Sequence, residues 1–215
     1  MELPLKNRRA AGQALAKELQ EYGRRDDVIV LALPRGGVPV AAEIATAVGA
    51  ELDLLLVRKL GTPGHEELAM GAIASGGNRV MNEDVVRGLD ISEAAIQRAE
   101  DRERQELQRR EKAYRGDRPW PVLGNRCVIL VDDGLATGAT MRAAVAAVRQ
   151  EKPARLVVAV PVAPPDTVEM LREQVDEMVC LAEPEPFVAI GVWYVDFSQV
   201  GDDEVRQILA KAWHQ

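Results

Sequence analysis

Residues 128–140 read VILVDDGLATGAT, and they carry the densest chemistry in the chain. Apolar residues run into two adjacent carboxylates, Asp132 and Asp133, then into a short Gly, Thr and Ala stretch that leads to a helix-like run. Gly134 and Gly138 permit positive φ or the close approach of another group. Thr137 and Thr140 offer hydroxyls, and a helix starting near Thr140 offers unpaired amides with a partial positive charge. Together these fit a phosphate monoester. The carboxylates repel that same phosphate, so they must face something else: vicinal hydroxyls, or a cation held through water. A ligand with a phosphate at one end and a diol beside it satisfies both halves, and ribose 5-phosphate is that ligand. The loop has neither a Walker Lys nor G-x-G-x-x-G. A bare DDG is more often a polar turn closing a strand; the full thirteen-residue pattern is harder to reduce to one.

The elements that must position this loop are legible on both sides of it. Leu15 and Leu19, with Ala11 and Ala16 on a compatible face, predict a first helix ended by Gly23. VIVLAL (28–33) is a continuous apolar run that suits a strand covered on both faces. It stops at PRGG (34–37), and VPVAAEIATAVGA reads as a helix ending near Gly49. LDLLLV (52–57) reads as a second buried strand, stopped by RKLGTPGHEE. MGAIASGG turns at Gly76-Gly77, and NRVMN can pair back with it as a hairpin. Residues 92–115 are charged and free of Gly and Pro, the pattern of a long exposed helix. After the acidic loop come a helix in MRAAVAAVRQ, a strand in RLVVAVPV, a helix in DTVEMLREQ and a strand in EMVCL. The Pro-punctuated AEPEPF then opens a tail containing IGVWYVDF.

Such alternation predicts an α/β fold, a mainly parallel sheet flanked by helices. Ligands bind such sheets beyond the carboxyl ends of the strands. PRGG, RKLGTPGHEE and DDGLATGAT each follow a predicted strand, so they are expected to gather on one rim. The chain of 215 residues has room for one sizeable domain with a small appended lobe. A formal charge of −7 argues against a nucleic-acid or anionic-membrane partner, though not against a local cationic pocket for a small anion. Cys127 and Cys180 lie in apolar, strand-like settings and read as free thiols. With no signal-like leader and no membrane-length apolar run, a cytoplasmic protein is expected.

VILVDDGLATGAT closely resembles the PRPP-binding motif of the type I phosphoribosyltransferases, and the order of elements fits that family from about residue 26 to 181. The resemblance implies a single domain over 1–215, with a Rossmann-like core over about 26–183. A small hood would follow over about 184–215, with 90–117 as a further candidate for it. It implies transfer of the 5-phosphoribosyl group of PRPP to an acceptor, in nucleotide salvage, with Mg²⁺ and release of diphosphate. By it, Asp132 and Asp133 contact the ribose 2- and 3-hydroxyls and hold the metal through water or those hydroxyls. Ala136, Thr137, Gly138, Ala139 and Thr140 wrap the 5-phosphate.

Arg35, Gly36 and Gly37 occupy the place of the family's diphosphate loop, where a non-proline cis peptide is expected near Arg35-Gly36. Read alone, PRGG is as well explained by a strand-to-helix turn with an exposed Arg. Arg58 and Lys59 also reach the diphosphate if the second strand ends there, which makes Asp132, Asp133, Arg35 and Lys59 the catalytic set. Residues 60–70 take the place of the family's flexible closing loop; His65 within it reads as solvated. Val162, Trp193 and Tyr194 are the acceptor candidates, although aromatic residues in the tail serve equally well to dock it on the core. Many family members are homodimers, but no interface is legible here. A PRPP-binding sensor and a hydrolase of phosphorylated sugars are the other classes that the pocket allows.

Overall fold

A computed structural model describes residues 3–214. Five parallel strands form the main sheet: β1 (Val28–Ala32), β2 (Glu51–Leu54), β6 (Cys127–Val131), β7 (Arg155–Val162) and β8 (Glu177–Ala182), in the order β2-β1-β6-β7-β8. Because a strand alternates its faces, the apolar run at β1 divides its side chains between two cores. Val28, Val30 and Ala32 pack under α1 (Arg8–Glu18), α2 (Gly37–Val48) and α7 (Asp202–Trp213). Ile29 and Leu31 pack under α5 (Ala139–Gln150) and α6 (Pro165–Arg172) on the opposite face. Helices therefore cover both faces, as the continuous apolar strands require.

The strand order matters for the site. From β1 the chain crosses to β2 on one side, while β6 pairs with β1 on the other, in register from Val28↔Cys127 to Ala32↔Val131. The β1–β6 boundary is thus a topological switch point, where the loops leaving two neighbouring strands diverge and open a crevice. Those two loops are PRGG and DDGLATGAT.

A second sheet is antiparallel: β3 (Val57–Thr62), β4 (His65–Ala74) and β5 (Arg79–Met81). The expected hairpin of β4 with β5 forms, with Ala72 opposite Val80. The long helix α4 (Glu93–Arg115) also forms, capped by Ser92, whose side chain accepts from Ala95 N. It is not solvated all round. Ile96, Ala99 and Leu107 bury against Leu60, Met70 and Ile73 of the small sheet. The short α3 (Glu83–Gly88) and the terminal α7 were not anticipated.

Two expectations are corrected. LDLLLV is not one strand: β2 stops at Leu54, and Leu56 N donates instead to Ser75 Oγ at 3.1 Å, which turns the chain into the second sheet. Leu55 is buried in one core and Leu56 in another, so the run stays apolar across the break. Residues 60–70 are a paired β3–β4 hairpin rather than a loop, with Thr62 opposite His65 and a turn at Gly64 (φ 76°).

Helix α1 lies close on α2 at Gly12, where an added Cβ would stand 2.5 Å from Val40 O. Gly12→Ala is therefore expected to cost about 1–3 kcal/mol, despite the better helix propensity of Ala. Gly88→Ala, with nothing within 4 Å of its Cβ position, should be neutral or mildly stabilising. Urea denaturation of both variants checks the contrast; equal midpoints would remove the close contact.

Candidate functional site at the switch point

The two switch-point loops touch. Leu33 N donates to Val131 O at 2.9 Å, carrying β1–β6 pairing one residue past the strand. An added Cβ on Gly36 would stand 2.0 Å from Asp133 Oδ2, and one on Gly37 would stand 2.7 Å from Val131 O. Gly36 has ordinary helical angles (φ −60°, ψ −35°), so the close approach explains its identity and backbone freedom does not. A non-proline cis peptide occurs in this loop, at Pro34-Arg35, one bond before the expected position.

The acidic pair lies between the loops, with Asp133 buried and Asp132 half-buried. Asp132 Oδ1 accepts from Asp133 N at 2.8 Å. Burial, reinforced by the neighbouring Asp133 carboxylate, pushes the Asp132 carboxyl well above the usual carboxylate range. Such a group gains from a cation or from hydroxyl donors that relieve its desolvation. Asp133 has a partner already: Arg8, at the start of α1, donates from Nε to Oδ2 at 2.7 Å.

The turn that follows faces water. Ala136, Thr137 and Thr140 are exposed, Ala139 is half-buried and Gly138 is buried. Gly138 (φ 69°) caps α5, whose first-turn amides open onto this turn. Thr167, at the start of α6, donates from its hydroxyl to Ala136 O at 2.8 Å and so fixes the turn from behind. Backbone amides, two hydroxyls and a helix N-terminus make an anion cradle beside the Asp132 carboxyl.

The cations expected here divide. Arg35 is on the rim, loosely paired at 3.7 Å with Asp202 of α7. Arg58 is turned away: alternation along β3 sends it to α4, where Glu103 Oε2 accepts at 2.6 and 2.9 Å. Lys59, on the opposite face of β3, is exposed and has no ion pair among the described residues. The condition set for both to reach a ligand, that the strand ends there, is not met, because β3 runs on to Thr62.

The acceptor candidates are corrected as well. Val162 is fully buried and Tyr194 is 6% exposed, so neither presents a surface to a ligand. Tyr194 Oη donates to Asp133 O at 2.6 Å, and burial followed by the Asp133 charge raises its pKa above the ordinary tyrosine range. Trp193 is half-buried, with its ring 6.3 Å from Phe187 and no partner for Nε1 among the described residues. Docking of the tail on the core is what these aromatics do. Ile190 even packs onto the acidic loop, at 2.6 Å from where a Cβ on Gly134 would be. Among the described residues no three His, Cys, Asp or Glu side chains cluster to hold a metal ion. No helix there is long and apolar enough to cross a membrane.

Fold and rim define a doubly wound α/β protein with a candidate ligand site at the switch point. The chain belongs to the phosphoribosyl transferase domain family, which matches residues 4–197. A Mycobacterium tuberculosis protein carrying the provisional name phosphoribosyl transferase Rv0571c is 46% identical over 202 residues. The match takes in 94% of this chain and 45% of that protein, so the chain spans about half the length of the curated relatives it matches. The crystal structure of TT1426 from Thermus thermophilus is 45% identical, with a TM-score of 0.87 over 96% of this chain and 98% of that one. AQ2163 from Aquifex aeolicus has the same fold, with a TM-score of 0.50 at 13% identity over 81% of this chain and 73% of that one.

Because the Asp133 carboxylate occupies the space beside Gly36, Gly36→Ala is expected to destabilise the protein by about 1–3 kcal/mol and to disorder the rim. Thermal melting reads the first effect and hydrogen exchange at residues 132–140 the second. Wild-type behaviour in both would show that the loops do not meet as described.

Proposed function

We propose that the chain transfers the 5-phosphoribosyl group of PRPP to a nitrogenous acceptor, with release of diphosphate, in cytoplasmic nucleotide salvage. The observation that carries this reading is the solvent-facing cradle at 136–140 set directly beside the half-buried carboxyl of Asp132. In it, Ala136 to Thr140 bind the 5-phosphate and the acidic loop holds the ribose end through Asp132. Arg35, with the Gly36 and Gly37 amides, grips the diphosphate, and Arg35 gives up only a loose contact with Asp202 to do so. Lys59 is the second cation for the diphosphate; Arg58 stays with Glu103 and lends it no charge. The acceptor nitrogen forms its bond to C1 as the C1–O bond breaks. The electron pair leaves with diphosphate, and the acceptor's proton goes to solvent.

Mg²⁺ supplies charge neutralisation of the departing diphosphate. The residues fit a metal that arrives with the ligand's own oxygens, since Asp132 could hold it through water and, among the described residues, no side-chain cluster could hold it alone. The small sheet with α4 is the lobe that closes over the bound sugar and keeps water from C1. The acceptor is best sought between that lobe and the rim, because the tail aromatics are spent on docking.

Diphosphate release from PRPP, followed over a panel of free bases with Mg²⁺ present and absent, tests the reading. Release is expected with at least one base and only with Mg²⁺. Asp132→Asn should lower it about 100-fold or more, and Arg35→Ala should mainly raise KM for PRPP. PRPP bound but never turned over would leave a sensor in place of a transferase. Phosphate or ribose phosphate released without an acceptor would mean a hydrolase.

A further inference from the structure

Asp133 stands at the rim without facing it. Its side chain is 12% exposed and that of Arg8 is 11% exposed, with Nε to Oδ2 at 2.7 Å. Arg8 is itself fixed from the tail: Nη1 donates to Ser198 O at 2.7 Å, and its guanidinium carbon lies 3.9 Å from the centre of the Phe197 ring. Tyr194 holds the Asp133 carbonyl, and Leu5 pairs with Tyr194 as a parallel bridge. Segments from the two ends of the sequence thus clamp one carboxylate between them. Asp132 differs: it is half-buried, and its Oδ2 has no protein donor among the described residues.

Resting on the phosphoribosyl-transfer reading, we infer that Arg8 is a positioning residue. It pins and neutralises Asp133 as a strut, so that of the acidic pair only Asp132 meets the ribose hydroxyls. The argument is electrostatic. Two adjacent carboxylates beside a phosphate cradle repel the ligand they serve unless one is paired. Arg8 pairs Asp133 between two side chains that are 11% and 12% exposed, where the bond is little screened. Without Arg8, the Asp133 anion is left buried beside Gly36, and it weakens phosphate binding either by its charge or by moving the turn.

The test is a double-mutant cycle on PRPP affinity by calorimetry, with kcat, KM and melting temperature measured alongside. Arg8→Ala is expected to weaken PRPP binding roughly tenfold, with a smaller effect on kcat at saturation, and Arg8→Lys to recover part of the loss. Adding Asp133→Asn to Arg8→Ala should restore affinity to within about threefold of wild type, since the unpaired charge is gone. Asp132→Asn should abolish binding in either background. Further loss of affinity on adding Asp133→Asn would make Asp133 a ligand contact and overturn the inference, as would wild-type affinity in Arg8→Ala. If Arg8→Ala does not fold, the single variants decide: Asp132→Asn should lose at least tenfold more affinity than Asp133→Asn, and equal losses would sink the strut. A wild-type protein that does not bind PRPP at all would instead remove the transfer reading itself, and the role assigned to Arg8 with it.

Discussion

The contact between the PRGG turn and the Asp133 carboxylate is the constraint on which the rest of the site depends. At a switch point two loops diverge, and the default outcome is an open crevice. Here they are drawn together, because Gly36 and Gly37 carry no Cβ and the backbone of one loop can rest on the side chain of the other. The contact fixes how far the PRGG turn stands from the turn at 136–140, and so which ligand lengths can bridge the two. It also puts a carboxylate where a loop of larger residues would have left room for water. That carboxylate needs a counter-charge, and Arg8 supplies it from outside the sheet. Gly12 belongs to the same chain of causes, since the tight α1–α2 packing holds the start of α1, and with it Arg8, over the rim.

On an acidic protein, a cradle suited to an anion depends on pairing the negative charges near it. Of the groups near the rim, Asp133 is paired with Arg8, and Asp202 is shared between Arg35 and the Tyr114 hydroxyl, which donates to it at 2.6 Å. Glu103 consumes Arg58. The free positive potential at the rim then comes from the backbone amides at the start of α5 and from Arg35. The raised pKa of Asp132 follows from the same economy: with Asp133 beside it and little water, its charge is costly until a ligand bearing donors arrives.

What was legible in the sequence followed from local rules. Continuous apolar runs bounded by Gly and Pro gave β1, β6 and β7 nearly to the residue, and the αL cap at Gly49 ended α2 as expected. The cradle itself was readable, because Gly138 and the threonines follow one another in sequence. What failed was set by distance. Arg8 and Asp133 are 125 positions apart, and nothing in the spacing of KNRRAAG distinguishes Arg8 from Arg9, which pairs with Glu43 on the surface. The Thr167 hydroxyl reaches Ala136 O across 31 positions, and it sits in a helix start that read as ordinary.

The break in LDLLLV shows why burial alone could not place Arg58 and Lys59. A single strand ending at Val57 would have put both cations at the carboxyl edge of the main sheet, pointing past its end. The parallel pairing closes instead with Leu55 N donating to Ala32 O at 2.9 Å, and Leu56, facing the other way, donates its amide to the Ser75 hydroxyl and accepts from Ser75 N. The chain then starts a new strand at Val57, and period-two alternation sends successive side chains to opposite faces. One face of β3 packs α4, whose Glu103 attracts the cation that lands there; the other sets Val57 against the core under α5 and leaves Lys59 exposed. The bonds between Leu56 and Ser75 therefore set where β3 begins, and with it which of two adjacent basic residues is left without an ion pair, and the same turn starts the second sheet. The lobe and the asymmetry of its cations have one origin, which is why a reading of the local motif could find the phosphate cradle and yet mistake the partner of Arg58.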